Sequence, residues 1–423
     1  MSLQIVYGRS GSGKSSYLFN QIKQDLGQEN KIYMITPEQF SFTAEKKLLE
    51  IAQSGAVLNA EVLTFQRMAY RVMQEVGGAT KTNLEESGRS MLIYHILNEQ
   101  KKNLKFLGKS EENIEVVLNS ITEFKKHGIH VEQLVDAISH QENPYLSAKL
   151  EDMRLIYEEY EKQIQNQFID ENDILDILVE NLEKTNQFTN AVIYIDEFAG
   201  FIKQEYQIIE KLLKVAKKVI VTITADSSLQ QTQIEHDLFY SNKETAKRLM
   251  KLARENGIEI QKEVRLENGY RFKTRELAFL EQNLYQVPYH KYEKAVENIS
   301  LFLAQNPYSE IEQVASQILS LVQKEGYRYQ DISVITKNID TYGSLAKVIF
   351  ERYHIPVFID EKRDLSQNIL VKYLLSIMEV FAQNWSYESV ISYIKNGFLE
   401  IPKQDLFYLE NYCKKWDVKR NKW

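Results

Sequence analysis

Eight residues near the start of the chain have the types and spacing to seat a polyphosphate: Gly8, Arg9, Ser10, Gly11, Ser12, Gly13, Lys14 and Ser15. They fit the pattern G-x-x-x-x-G-K-[ST] in full, and Ser16 continues the polar run. Glycine at three positions lets the backbone turn tightly and approach a ligand. Successive N–H groups then point inward, and the start of a following helix adds partial positive charge. Lys14 would reach the outer phosphates and serve catalysis there, and the Ser15 hydroxyl would bind Mg²⁺. A glycine-rich loop can match this spacing by chance. The expected context is also present, because the apolar run Leu3 to Tyr7 precedes the loop and a helix-forming segment follows it.

A second group sits far along the chain. Val192-Ile193-Tyr194-Ile195 reads as a buried strand that ends in Asp196 and Glu197. Asp196 would hold the Mg²⁺, directly or through water, and Glu197 would accept a proton from an attacking water. Carboxylates at strand ends are common, so this pair gains meaning only beside the glycine loop. Arg271, after the turn Asn268-Gly269, is a candidate contact to a terminal phosphate, since a fork of donors suits that group. An ordinary salt-bridged arginine would look the same. The cofactors implied are ATP and Mg²⁺.

These residues must be positioned by the elements between them. Strand-like and helix-like runs alternate from Leu3 to Val76, which predicts a parallel sheet flanked by helices. From 83 to about 185 nearly everything reads as helix. Leu146, Leu150, Met153, Tyr157, Tyr160, Ile164 and Phe168 recur at three- and four-residue steps, as a core-facing stripe does. The sheet pattern resumes at Ala191, with Val219 to Thr224 as a further strand ending near Asp226 and Ile258 to Leu266 as another. A second α/β pattern starts at Ile299, with strands expected at 299–303, 332–337 and 357–359. The expected domains are therefore 1–82 and 188–286 as one P-loop α/β domain, 83–187 as a helical insertion, and 287–423 as an incomplete second α/β domain.

Composition narrows the class. The chain has 423 residues, 43% hydrophobic and 26% charged, which is a globular composition. No apolar run approaches the ~20 residues that span a bilayer, so no membrane association is expected. A single cysteine, Cys413, allows no internal disulfide framework and no four-cysteine iron–sulfur cluster, and a reducing cytoplasm fits best. The net charge of −7 does not advertise a polyanion partner, but local clusters could still bind one. Two basic clusters fall in the helical stretch: Lys101, Lys102, Lys105 and Lys109, then Lys125-Lys126-His127.

Several segments together resemble superfamily 1 DNA helicases of the UvrD/Rep type. Gly8 to Ser15 is similar to their first motif, Val62 to Ala69 to the segment that touches single-stranded DNA, and Ile195 to Phe198 to the Mg²⁺ motif. Thr222 to Gln231 is similar to the segment coupling ATP to DNA, and Leu266 to Arg271 to the motif whose arginine contacts the γ-phosphate. More closely, Val6 to Ser15, Thr36-Pro37-Glu38-Gln39-Phe40-Ser41-Phe42, the Phe124-Lys125-Lys126 neighbourhood and Tyr194-Ile195-Asp196 resemble the AddB (RexB) family. These are the B subunits of bacterial AddAB helicase–nucleases. The resemblance implies a RecA-like fold, an AddA-type partner in a heterodimer, and contact with DNA, single-stranded above all. It also implies a share in recognising the recombination hotspot Chi. Helicases of this type carry Gln-Asp shortly after the Asp-Glu pair, where this chain has Ala199-Gly200. That departure favours an alternative, a DNA-guiding scaffold that binds nucleotide without turnover. A small-molecule P-loop phosphotransferase is a third reading, against which the long insertion and the second α/β pattern count.

Overall fold

A computed structural model of the chain describes residues 1–52, 59–78, 81–107, 113–164, 168–226, 237–286, 288–360 and 365–423. It divides into two compact units, Met1–Ile299 and Ser300–Trp423.

The first unit opens with strand β1 (Ser2–Gly8), the glycine loop and helix α1 (Lys14–Asp25). Then come β2 (Ile32–Ile35), α2 (Glu38–Ile51), β3 (Ala60–Leu63) and α3 (Phe65–Val76). Pro37 stands at the N-cap of α2, where its missing N–H is harmless. The Thr64 side chain caps α3 by accepting from the Arg67 N–H at 3.1 Å. The helical stretch follows: β4 (Thr82–Leu84), α4 (Glu86–Glu99), α5 (Asn113–Lys126), α6 (Val131–Ser139), α7 (Pro144–Ile164), β5 (Phe168–Asp170) and α8 (Ile174–Asn181). The chain then returns to the sheet through β6 (Val192–Ile195), α9 (Lys203–Val215), β7 (Lys218–Thr224), α10 (Tyr240–Glu255), β8 (Glu259–Ile260), β9 (Val264–Leu266) and α11 (Arg275–Asn283).

The main sheet runs in the order β3-β2-β6-β7-β1-β8, with β9 also pairing β1, and every ladder is parallel. Side chains alternate across it, as the two-residue period of a strand requires. Leu3, Ile5 and Tyr7 join the core that includes buried residues of α3, α8, α9 and α10. Val6, between them, joins the opposite core with Leu18 and Ile22 of α1 and Leu48 of α2. A parallel sheet buried on both faces reads as near-continuous apolar runs, which is why its strands are visible in the sequence. The fold is thus α/β, with the RecA-like alternation expected. The run 258–266 forms two short strands in place of one.

The helical insertion has its own core, built from Ile93, Ile96, Val117, Ile121, Met153, Ile156, Tyr157 and Tyr160 among others. The predicted stripe holds from Met153 to Ile164, but Leu146 is exposed and Phe168 lies on β5. The insertion is not purely helical, since β4 and β5 pair as a parallel ribbon. One basic cluster is corrected. Lys125 is buried, with Nζ 2.6 Å from both Glu161 and Asp173 and 3.5 Å from Asp170, while Arg89 reaches Asp170 at 3.6 Å. Lys126 and His127 remain on the surface, and Lys109 lies outside the described residues.

The second unit contains α12 (Pro307–Glu325), α13 (Ile339–Arg352), α14 (Ile369–Ala382), α15 (Tyr387–Lys395) and α16 (Lys403–Trp416). Ile311, Ala315, Ile318, Ile349, Phe350 and Ile355 form its core. The expected strands at 299–303, 332–337 and 357–359 make no ladder among the described residues. A strand exists only through pairing, and here Leu301, Leu303, Ile335 and Phe358 are almost fully exposed.

Candidate nucleotide-binding site

The site forms at the carboxyl ends of three adjacent strands. β7 lies between β1 and β6, with Gly8 level with Thr224 and Ile195 level with Val221. The ends of β1 and β6 therefore face the same side, where ligands bind in open α/β sheets. The glycine loop leaves β1 there, and Asp196 and Glu197 leave β6.

The loop is shaped for close approach. Gly11 and Gly13 have φ of 78° and 85°, a left-handed conformation that favours glycine. A Cβ on Gly8 would sit 2.5 Å from the Leu266 carbonyl, and one on Gly11 would sit 2.5 Å from the Arg271 Cβ. No side chain caps the N-terminus of α1, so its first N–H groups face the loop unopposed by a side-chain acceptor. Ser12 is buried, and its hydroxyl has no hydrogen-bond partner among the described residues. Lys14 Nζ donates to the carbonyls of Gly8 at 3.0 Å and Arg9 at 3.1 Å. Burial pulls the Lys14 ammonium below its ordinary range, and Asp196 and Glu197 act against that fall.

The acidic pair meets the loop. The Ser15 hydroxyl donates to Glu197 Oε1 at 2.8 Å. Asp196 is buried and accepts from the Thr222 hydroxyl at 2.5 Å. Burial raises the Asp196 carboxyl above the usual range, while hydrogen bonds from Thr222 and Ser15 act in the opposite direction. Glu197 has φ of 65°, a left-handed backbone unusual outside glycine, and such strain gathers at functional sites. Sequence reasoning places Thr222 only at the start of the segment 222–231 and misses its bond to Asp196, although the signal is readable: it is the polar position inside the apolar run of β7.

The segment after β9 lies over the loop. The Tyr270 N–H donates to the Gly11 carbonyl at 2.9 Å, and the Tyr270 ring would be 3.3 Å from a Cβ on Gly13. Arg271 donates to the Ser10 hydroxyl at 3.1 Å. Arg9 points elsewhere: its Nε sits 2.9 Å and 3.1 Å from the two carboxylate oxygens of Glu281 on α11, and its guanidinium is 3.6 Å from Asp226. Of the residues singled out by sequence, Lys14, Ser15, Asp196, Glu197 and Arg271 come together. Ser16 is exposed on α1, and the Arg9 side chain belongs to an ion-pair network beside the site.

The donor set suits a polyphosphate with a divalent cation. The loop leaves no room for a Cβ at Gly8 or Gly11, the buried Ser12 hydroxyl wants a partner, and one hydroxyl with two carboxylates suits a Mg²⁺ that keeps waters and phosphate oxygens. Among the described residues no three His, Cys, Asp or Glu side chains cluster to hold a metal by themselves. Cys413 is buried and alone.

Elsewhere, Phe65 of the segment 62–69 packs against Phe198 at 5.5 Å, and Arg67 pairs with Glu45 at 2.5 Å. A groove of about 820 Å³ along β3 is lined by Arg67, Tyr70, Arg71 and Gln74 among others. Of the segment 222–231, residues 227–231 lie outside the described residues. No helix among the described residues is long and apolar enough to cross a membrane.

A glycine loop on a parallel sheet, with an acid pair two strands away, places this chain in the α/β class with a RecA-like sheet. Comparison with known proteins narrows this: residues 5–281 match the family described as ADDB, N-terminal, and the chain belongs to that family. It is 42% identical to the B subunit of the ATP-dependent helicase/deoxyribonuclease of Caldanaerobacter subterraneus subsp. tengcongensis, over 100% of this chain and 37% of that protein. Proteins of the same name from Clostridium tetani and Clostridium acetobutylicum are 40% and 38% identical, again over 100% of this chain and 38% and 37% of theirs. The chain thus spans less than two-fifths of the length of these relatives.

Proposed function

We propose that this chain is the nucleotide-binding, helicase-like part of an AddB-type subunit of a helicase–nuclease that processes DNA double-strand breaks for recombinational repair. The relatives are named for helicase and deoxyribonuclease activities. They are also named as one subunit of a complex, which implies a partner, here of the AddA type. The observation that most supports the nucleotide reading is the meeting of Ser15 with Glu197 and Asp196 beside a loop with no room for a Cβ at Gly8 or Gly11. In this reading the amides of residues 11–15 and the Lys14 ammonium hold the phosphates, Arg271 reaches the terminal one, and Ser15 and Asp196 hold the cation. Mg²⁺, when bound, neutralises phosphate charge and fixes the triphosphate's geometry.

Turnover requires Glu197 to release the Ser15 hydroxyl and turn its carboxylate to a water. That bond, with Ala199-Gly200 in place of the coupling pair, favours slow hydrolysis or none and makes the scaffold reading the second one. Contact with single-stranded DNA along 62–69, and a share in Chi recognition, belong to the same proposal and rest on the resemblance. The test is a titration of ATP into the chain and into Lys14→Ala, followed by steady-state phosphate release with and without single-stranded DNA. Weaker binding in the variant is expected, and equal binding overturns the site. DNA-stimulated release supports a motor-like role; tight binding without release supports the scaffold.

A further inference from the structure

We propose that the turn at residues 100–107, directly after α4 in the helical insertion, is a contact surface for the phosphodiester backbone of DNA, with Lys101, Lys102 and Lys105 as its charges. The proposal rests on the DNA-processing reading above and deepens it, because it assigns a surface outside the nucleotide domain.

The loop is held in shape from within. Asp152 of α7 is only 1% exposed. Its carboxylate accepts from three successive backbone N–H groups: Lys105 at 2.9 Å, Phe106 at 2.7 Å and Leu107 at 3.1 Å. Leu104 is buried in the insertion core between the exposed lysines, so the turn is pinned by one apolar and one anionic anchor. The Asn103 N–H donates to the Gln100 carbonyl at 2.8 Å, closing the turn from α4. A buried carboxylate used this way fixes a backbone, and what that backbone presents outward is Lys101, Lys102 and Lys105.

Those three ammonium groups form no ion pair among the described residues, whereas several cations of α5 and α7 do. Lys126 pairs with Glu123, Lys162 with Glu158, and Arg154 with Glu151 and Glu158. Glu151 is the carboxylate that feels Lys105, and Arg154 already holds it at 2.8 Å. Three exposed like charges within five residues repel one another weakly, and a polyanion would relieve that repulsion. Beside the loop the Phe106 ring lies 6.5 Å from that of Tyr145, which is 74% exposed and free to stack on an unpaired base.

The experiment measures fluorescence anisotropy of a labelled single strand, and of a duplex of equal length, against the full chain from ~50 to ~200 mM salt. Each phosphate contact contributes a log–log salt slope of about 0.7 for single strands and about 0.9 for duplex. Changing all three lysines to Ala should therefore flatten the slope by about 2 to 3 and weaken binding on the order of tenfold or more at the low-salt end. The triple Lys→Arg variant keeps the charge and should bind like the parent. Tyr145→Ala should weaken the single strand more than the duplex. An Ala triple with the parent's slope overturns the proposal, as does an Arg triple that loses binding equally. A parent chain that binds neither DNA overturns the underlying DNA reading instead, so the two failures are separable.

Discussion

Replacing Lys125 by Met tests what holds the helical insertion together. The side chain is 2% exposed, with its ammonium 2.6 Å from Glu161, 2.6 Å from Asp173 and 3.5 Å from Asp170. Tyr160 donates to Asp170 at 2.8 Å, and Gln204 of α9 donates to the Lys125 carbonyl at 3.0 Å, so the cluster joins α5, α7, β5 and α9. Met preserves the apolar stem and removes only the charge. At an effective dielectric of ~20, each contact near 2.6 Å is worth about 6 kcal/mol of Coulomb attraction, most of it offset by desolvation. Removing one partner of a buried pair leaves uncompensated charge and typically destabilises by about 3–5 kcal/mol. Here three carboxylates would lose the cation they share, so we expect a loss in that range at pH 8.

The loss should depend on pH. Desolvation, with Glu161 and Asp170 nearby, pushes the Asp173 carboxyl up to about 6, and Lys125 is the largest influence lowering it. Without Lys125 it rises further. A carboxyl raised above its unfolded value destabilises the fold progressively as pH rises through the window between the two values, and fully above it. The penalty should therefore shrink toward pH 5, where Asp173 takes up a proton. Hydrogen exchange of α5 and α7 amides at pH 5 and pH 8, corrected for intrinsic rates, reads this locally without assuming that 423 residues unfold in one step. A loss below about 1 kcal/mol at pH 8, or a larger loss at pH 5, would refute the reasoning.

Two further perturbations address the nucleotide site. Thr222→Val removes the hydroxyl that holds the Asp196 carboxyl down against burial. Mg²⁺-dependent nucleotide affinity, lost as pH falls through that carboxyl's titration, should then fail at a higher pH than in the parent, as binding curves between pH 5.5 and 8 would show; an unchanged profile counts against the assignment. Arg9→Ala should leave nucleotide affinity within about threefold while lowering stability by about 1.5–3 kcal/mol, the scale of a charge-assisted hydrogen bond, because Arg9 holds Glu281. Calorimetry and a thermal melt separate these effects, and a tenfold loss of affinity with no loss of stability would make Arg9 a phosphate ligand after all.

Much of the site is legible in the sequence because its physics is local. The spacing of Gly8, Gly11, Gly13 and Lys14 encodes a backbone shape, and apolar runs of four to seven residues encode strands buried on both faces. What stays hidden depends on partners distant in sequence. Lys125 and Lys126 are adjacent and chemically alike, yet one is buried among three carboxylates and the other faces water. Arg9 lies inside the motif, and only the placement of Glu281, 272 residues on, shows where its side chain goes. Asp152 carries no local mark at all, since its three bonds reach back to residues 105–107. The strands expected in the second unit fail for a related reason: apolar, β-branched residues supply the propensity for a ladder but not the neighbour that completes it.

The central claim is that Ser15 and Asp196 hold a cation that binds with the triphosphate. Its most direct measurement is calorimetric titration of a non-hydrolysable ATP analogue into the chain and into Asp196→Asn, each with Mg²⁺ and with chelator. Mg²⁺ should tighten binding to the parent by about tenfold or more, a gain of at least ~1.4 kcal/mol. That gain should vanish in Asp196→Asn while the weaker metal-free binding persists. An equal Mg²⁺ gain in both proteins would contradict the account.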